Sequence, residues 1–361
     1  MNPYVEGRNM VKASTLLLCS ILLLISCGRG DRGKPPMDQP PTSVPTVEVE
    51  QGEVYVDLYN PEKTCNGTTL FTAGHDPKNP RIIEVNMLGE IVWEYVLPDN
   101  LKQYTQPGFD AEVLSDNNVL IVLPKYGIQE IDRDGNVVWA HQDEQISHDA
   151  DRLPNGNTIF VFGDNDKKDD AQVKEVNPQG DLVWDWYAKD QFNVAPYDTL
   201  ERQGWTHTNA VTRLENGNTL ISPRNFSLTV EVNPQGKVVW SVDWTELFER
   251  ASDRGYDPHE PEILPNNHLL VCLQWETPYQ AVEIDRNSGE VVWKYDREGL
   301  RTARDCDRLP NGNTLIVGVI EGPEDSVIFE VTPQGEIVWE LKLKDTPAER
   351  SPGWFYKAQR M

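Results

Sequence analysis

Three histidines and one arginine carry the clearest chemical signal in this chain. His148 opens His-Asp-Ala and stands five residues before the leucine of Leu153-Pro154-Asn155-Gly156. His259 opens His-Glu-Pro-Glu and stands five residues before Leu264. His207 lies two residues before Asn209, itself five before Leu214, and Arg224 follows Ser222-Pro223. A neutral imidazole attacks as a nucleophile or moves a proton near neutral pH. Arginine, and histidine when protonated, donate to oxyanions and stabilise charge developing on them. Such a set suits an anion with three or more oxygens. A metal centre fits less well: no carboxylate stands at the equivalent positions, and an adjacent arginine repels a cation. Neither a metal nor a cofactor is expected.

These residues need a scaffold, and the chain supplies one by repetition. A turn-and-tryptophan segment occurs six times: EVNMLGEIVW, EIDRDGNVVW, EVNPQGDLVW, EVNPQGKVVW, EIDRNSGEVVW and EVTPQGEIVW. Their tryptophans are Trp93, Trp139, Trp184, Trp240, Trp293 and Trp339, spaced by 46, 45, 56, 53 and 46 residues. A second turn recurs six times, typified by LPNGNTIFV and LPNGNTLIV. Asn, Pro and Gly between short runs of β-branched residues mark tight turns between antiparallel strands. Repeats of this length with four short strands predict an all-β fold: a six-bladed β-propeller of four-stranded antiparallel blades. The first blade is expected to begin near Val54–Tyr59, and the tail around Trp354–Gln359 reads as one more strand that helps close the ring. The six tryptophans, on the last strand of each blade, are expected to pack between blades.

The blade serves as a coordinate system. With strands numbered from the axis outward, both repeated turns fall on one face of the disc. The opposite face carries the starts of the innermost strands and the loops between blades, where sites usually sit. Five residues before the turn leucine, the second to sixth blades carry Phe109, His148, Asn209, His259 and Arg304. His207 and Arg224 belong to the same level of the fourth blade. The reading therefore brings His148, His207, His259 and Arg224 to the mouth of the channel, with Asn209, Arg304 and Phe109 as substrate-lining neighbours. His75, His141 and His268 are expected in loops or turns, without a role.

At these residues the chain resembles the bacterial arylsulfotransferases. The resemblance rests on Tyr59-Asn60-Pro61-Glu62-Lys63-Thr64-Cys65-Asn66-Gly67, on His148-Asp149-Ala150, and on Trp205-Thr206-His207-Thr208-Asn209 with Ile221-Ser222-Pro223-Arg224-Asn225. It extends to His259-Glu260-Pro261-Glu262 and to the tail Tyr356-Lys357-Ala358-Gln359-Arg360. It implies a nucleotide-independent enzyme that moves a sulfuryl group from an aryl sulfate to a phenolic acceptor. It also implies that His259 is the nucleophile, passing through a sulfohistidine. His148, His207 and Arg224 would bind sulfuryl oxygens and handle the phenol proton, and Asn209 would orient a neighbour. Other readings stay open: a non-catalytic envelope propeller that binds an anionic ligand or a protein, and a scaffold for outer-membrane complexes. A third is a quinone-dependent dehydrogenase, which would want calcium-binding carboxylates in the channel; none is evident at the positions counted.

The chain of 361 residues carries a net charge of −25. A polyanion of this kind is repelled by phosphate backbones, so nucleic acid is not an expected partner. Arg8 and Lys12 precede an apolar run from Leu16 to Ile25, followed by Ser26-Cys27-Gly28. That run has the length of a signal-peptide core, and the sequence around Cys27 resembles a lipobox. Residues 1–27 are thus expected to be a lipoprotein signal with Cys27 as the acylated residue. Residues 28–46 read as a Pro-rich tether and 47–361 as the propeller. The expected location is the cell envelope, facing the periplasm or the exterior, with a membrane as partner through the anchor. A homodimer is left open. Cys65, Cys272 and Cys306 show no metal-ligand spacing and read as buried small hydrophobes.

Overall fold

The computed structural model describes residues 53–74, 76–248, 255–274, 280–320, 326–343 and 355–361. The expected signal, lipidation site Cys27 and tether lie outside the described residues. Six antiparallel sheets make six blades. The second blade contains β5 (Asp110–Val113), β6 (Val119–Leu123), β7 (Gly127–Ile131) and β8 (Val137–Gln142). The third contains β9 (Ala150–Arg152), β10 (Thr158–Val161), β11 (Val173–Val176) and β12 (Leu182–Trp186). The fourth runs from β13 (Thr208–Arg213) through β14 (Thr219–Pro223) and β15 (Leu228–Val232) to β16 (Val238–Asp243). The fifth is β17 (Asp257–Ile263) to β20 (Val291–Asp296), and the sixth β21 (Leu300–Arg308) to β24 (Ile337–Leu343).

The termini close the ring in a way the sequence left open. The C-terminal strand β25 (Ala358–Arg360) is the innermost strand of the first blade, beside β2 (Thr69–Ala73), β3 (Arg81–Val85) and β4 (Ile91–Val96). The N-terminal strand β1 (Val54–Tyr59) does not begin that blade. It pairs antiparallel with β24 as a fifth, outermost strand of the sixth blade. Its alternation fits a half-buried edge, which explains why both termini looked like candidates for the first blade.

The turns form as their residues dictate. In Leu153-Pro154-Asn155-Gly156, Asn155 Oδ1 accepts the Asn157 amide at 3.0 Å, and Gly156 takes a φ of +86° that side-chain-bearing residues disfavour. In Asn177-Pro178-Gln179-Gly180, Asn177 Oδ1 accepts the amides of Gln179 and Asp181 at 3.0 and 2.9 Å. Second strands such as β6 and β14 are buried along their whole length, whereas β4 and β8 alternate between exposed and half-buried. The core consists of six apolar clusters, one in each interface between neighbouring blades.

A ring of tryptophan, arginine and glutamate runs through those six interfaces. The six repeat tryptophans donate their indole N–H to a turn carbonyl of the next blade: Trp93 to Arg133, Trp139 to Pro178, Trp184 to Pro234, Trp240 to Arg286, Trp293 to Pro333 and Trp339 to Met87. An arginine of the next blade covers each indole: Arg133, Arg152, Arg213, Arg286, Arg308 and Arg360, at 4.4 to 5.0 Å from the ring centre. Each arginine also pairs with the glutamate of the preceding blade's third strand, as Arg213 does with Glu175 at 2.6 Å and Arg360 with Glu330 at 3.1 Å. Cation–π contact and a charge-assisted hydrogen bond thus fasten each blade to the next.

Candidate functional site

The innermost strands begin with local distortions that aim the site residues. His148, His207 and Glu260, the residue after His259, adopt left-handed backbone conformations with φ of +64°, +46° and +43°. Non-glycine residues pay for such angles, and they concentrate at functional positions. The pairing of β13, β17 and β21 also shifts register beside the site, between Thr208 and Val211, His259 and Glu262, and Ala303 and Asp305. Such irregularities redirect side chains.

His148 and His207 meet: their Nε2 atoms are 3.2 Å apart and their rings stand edge to face. Hydrogen bonding fixes the tautomers. His207 Nδ1 lies 2.7 Å from the Gln203 carbonyl, so Nδ1 carries the proton and Nε2 the lone pair. His148 must then donate from Nε2, which leaves its buried Nδ1 as a lone pair without a hydrogen-bond partner. His259 Nδ1 lies 3.1 Å from the Asp257 carbonyl, so its Nε2 also carries a lone pair.

Burial lowers all three imidazoles well below the usual histidine range, and Arg224 is the charge that adds most to the effect on each. They are neutral at pH 7. This corrects the expectation that protonated histidines hold an oxyanion: here the cationic role falls to arginine. Arg224 is itself nine-tenths buried, and desolvation brings it down to about 10 against the support of Asp257, so it stays charged. Its Nε lies 3.6 Å from Asp257 Oδ2, and its Nη2 reaches Gln203 Oε1 at 3.5 Å. Arg202 pairs with the other Asp257 oxygen. Asp257 therefore sets the orientation of both Arg224, through its carboxylate, and His259, through its carbonyl.

The remaining sequence candidates divide. Asn209 Nδ2 and Ser222 Oγ both donate to the Pro258 carbonyl, at 3.1 and 2.9 Å, and so hold the backbone just before His259. Arg304 lies with its guanidinium 5.8 Å from the ring centre of Tyr356, whose ring is 6.1 Å from that of His148. Phe109 is not brought into the imidazole cluster: its side chain is buried in the apolar interface between the first and second blades. Of the other histidines, His141 lies on β8 and His268 opens β18 (His268–Gln274), where it pairs with Glu283 at 2.6 Å. The expectation of loops or turns is corrected for both; His75 lies outside the described residues. Cys272 and Cys306 are buried free thiols, while Cys65 is only half-buried.

Several functional neighbours escaped the sequence reading. Asp166, in the loop after β10, accepts hydrogen bonds from the His207 and Thr206 amides at 3.0 and 3.1 Å and from the Thr206 hydroxyl at 2.8 Å. Burial raises its carboxyl to about 6, against those donors. It lies in the loop between β10 and β11, which is longer than the equivalent loop of the other repeats, so periodicity gave no signal. The larger omission is a carboxylate layer. A central cavity of about 280 Å³ is lined by Asp110, Asp149, Glu260 and Asp305, each one residue after a counted position. Glu112, Asp151, Glu262 and Asp307 form a second tier two residues further on. The channel does carry acidic residues, contrary to expectation: they stand on the other side of the strand alternation from the residues five before the turn leucine. No group of three or more metal-ligating side chains is placed to hold a metal among the described residues.

Fold and site together define a six-bladed propeller with a buried, neutral histidine cluster beside a charged arginine. The family model described as Arylsulfotransferase (ASST) matches residues 56–256, and the chain belongs to that family. A second model, described as Outer membrane protein assembly factor BamB, matches residues 169–359, which overlap the first match and are built of the same repeats. Among solved structures, a protein of unknown function from Bacteroides caccae is 18% identical with a TM-score of 0.56, over 81% of this chain and 98% of that one. A streptogramin B lyase is 12% identical with a TM-score of 0.50, over 81% and 84% of the two chains. At these identities the likeness is one of fold. No curated protein matches the chain.

Proposed function

We propose that this protein transfers a sulfuryl group from an aryl sulfate to a phenol in two displacement steps. The observation that carries the reading is the tautomer of His259, whose Nε2 lone pair stands in a neutral imidazole while Arg224 supplies the adjacent positive charge. In the first step Nε2 attacks sulfur, the sulfur–oxygen bond to the aryl group breaks, and the phenolate leaves with the bonding electrons. In the second, the acceptor hydroxyl gives its proton to the unpartnered Nδ1 of His148, and its oxygen takes the sulfuryl group from His259. The imidazolium at His148 returns its proton to solvent or to the departed phenolate. Arg224 stabilises charge on the sulfuryl oxygens in both transition states. Asn209 keeps His259 on line through Pro258.

Purified protein should transfer sulfuryl from a chromogenic aryl sulfate to a phenol, and His259→Ala should abolish both turnover and the mass gain of a trapped sulfuryl-protein intermediate. Absence of transfer in the wild type, or full transfer by His259→Ala, removes the mechanism. A second reading, a non-catalytic envelope propeller that binds a protein partner, draws on the match to the assembly-factor model. It predicts a partner recovered from cross-linked membranes and no transfer. In either reading we place the protein in the cell envelope, held to a membrane through an acylated Cys27.

A further inference from the structure

Tyr356 and Lys357 precede β25, the strand that completes the first blade. Among the described residues, Lys357 is the only cation that lines the central cavity. Its Nζ lies 2.5 Å from Asp149, 3.1 Å from Asp110 and 3.0 Å from Glu260. Asp149 is the residue after His148 and Glu260 the residue after His259. The ammonium therefore joins the third and fifth blades at the positions adjacent to the two histidines. The next residue along extends the same anchoring: the Ala358 amide donates to Asp305, the residue after Arg304, at 2.9 Å. Asp149 is fixed from its other side by the Val211 amide at 2.6 Å, so the tie ends on a rigid partner.

We propose that Lys357 is a positioning residue of the histidine site, holding the strands that carry His148 and His259 at a fixed separation through Asp149 and Glu260. The proposal rests on the sulfuryl-transfer reading for its kinetic consequence and on geometry alone for its structural one. Ring closure and site assembly then become one event, because the strand that closes the ring also sets the distance between nucleophile and base. Lys357 further adds to the positive surroundings of His148, together with Arg224, Arg304 and Lys125, while His207 and Tyr356 face the same ring. Removing the ammonium therefore shifts the imidazole titration of His148 upward as well as loosening its position.

The test uses Lys357→Met and Asp149→Asn, which cut the tie from opposite ends. In the transfer assay kcat should fall by about 100-fold with KM little changed, the effect of misplacing reacting groups by about 1 Å. In Lys357→Met, NMR of ring-labelled histidine should show His148 titrating at higher pH than in the wild type. That readout needs no turnover, so it judges the tie even if the protein transfers no sulfuryl group. Should Lys357→Met not fold, Asp149→Asn, which preserves side-chain volume, gives the kcat readout. Wild-type kcat in a folded Lys357→Met or Asp149→Asn protein overturns the proposal, and so does an unchanged His148 titration in Lys357→Met.

Discussion

Raising the pH from 6.5 to 8.5 should destabilise this protein by an amount the channel carboxyls determine. Burial, reinforced by Asp110, pushes Glu112 up to about 8, and burial takes Asp305 to about 7. Their unfolded references are 4.5 and 3.8. The native state thus holds protons that the unfolded chain has already released. The stability this confers is complete below the unfolded values and is lost as pH rises through the folded ones. Over the two-unit interval Glu112 accounts for about 2 kcal/mol and Asp305 for about 1, roughly 3 in all. Asp151, Glu260 and Asp307, raised by the same burial, act in the same direction. The buried imidazoles limit the gain on the acid side. Their folded values lie below 6.5, so each withdraws up to about 1.4 kcal/mol per pH unit below that point. Urea unfolding at constant ionic strength would show the midpoint falling from pH 6.5 to 8.5, and Tm should drop by about 5 °C for a ring of this size. Glu112→Gln should remove about 2 kcal/mol of the dependence and leave the share of the other carboxyls. Equal or greater stability at pH 8.5 refutes the assignment of protonated carboxyls to the channel.

Three further outcomes follow from named contacts. Asp166→Asn replaces an acceptor with a donor against the Thr206 and His207 amides; transfer should fall about tenfold or more while circular dichroism is unchanged. Trp339→Ala opens the interface between the sixth and first blades, where the indole is fully buried, and should cost about 3–5 kcal/mol in urea unfolding. Gly108→Ala places a methyl 2.4 Å from the His148 Cα at a φ of +84°, so the variant should lose transfer activity, read as kcat, before it loses its fold.

The scaffold was legible because its signals are local. Asn, Pro and Gly make their turns through their own backbone preferences, and six copies leave no doubt about blade number. The three histidines and Arg224 were legible as exceptions to that repetition, at a level the turn leucine marks. What the sequence hid depends on alternation and on distance along the chain. Asp110, Asp149, Glu260 and Asp305 stood one residue from the counted positions, and a strand places successive residues on opposite sides. Phe109 satisfied the count yet turns into the interface with the first blade, where burial of its ring gains more than exposure in a polar channel. Asp166 acts through backbone amides of another loop, and Asp257 through side chains of the fourth blade and its own carbonyl, relations no spacing encodes. The tautomer of His148 depends on the lone pair of His207, which only the folded chain brings near, and that of His259 on a local turn of backbone toward the Asp257 carbonyl.

The two layers of the blade divide the physical burden between them. The inner strands and the segments beside them carry features that oppose folding: two rows of buried or half-buried carboxyls, left-handed histidines and, just after β14, a desolvated guanidinium. The interfaces carry the compensation, with six apolar clusters and six indoles each covered by an arginine of the next blade. Such compensation lets a site violate local rules without unfolding the chain. The C-terminal strand is where the layers are coupled. Within five residues, Tyr356 stands beside His148, Lys357 enters the carboxylate tier and Arg360 caps Trp339 in the interface ring. A chain that has not docked this strand lacks a member of every layer at once. Closing the ring is therefore the step that stabilises the protein and the step that completes its site.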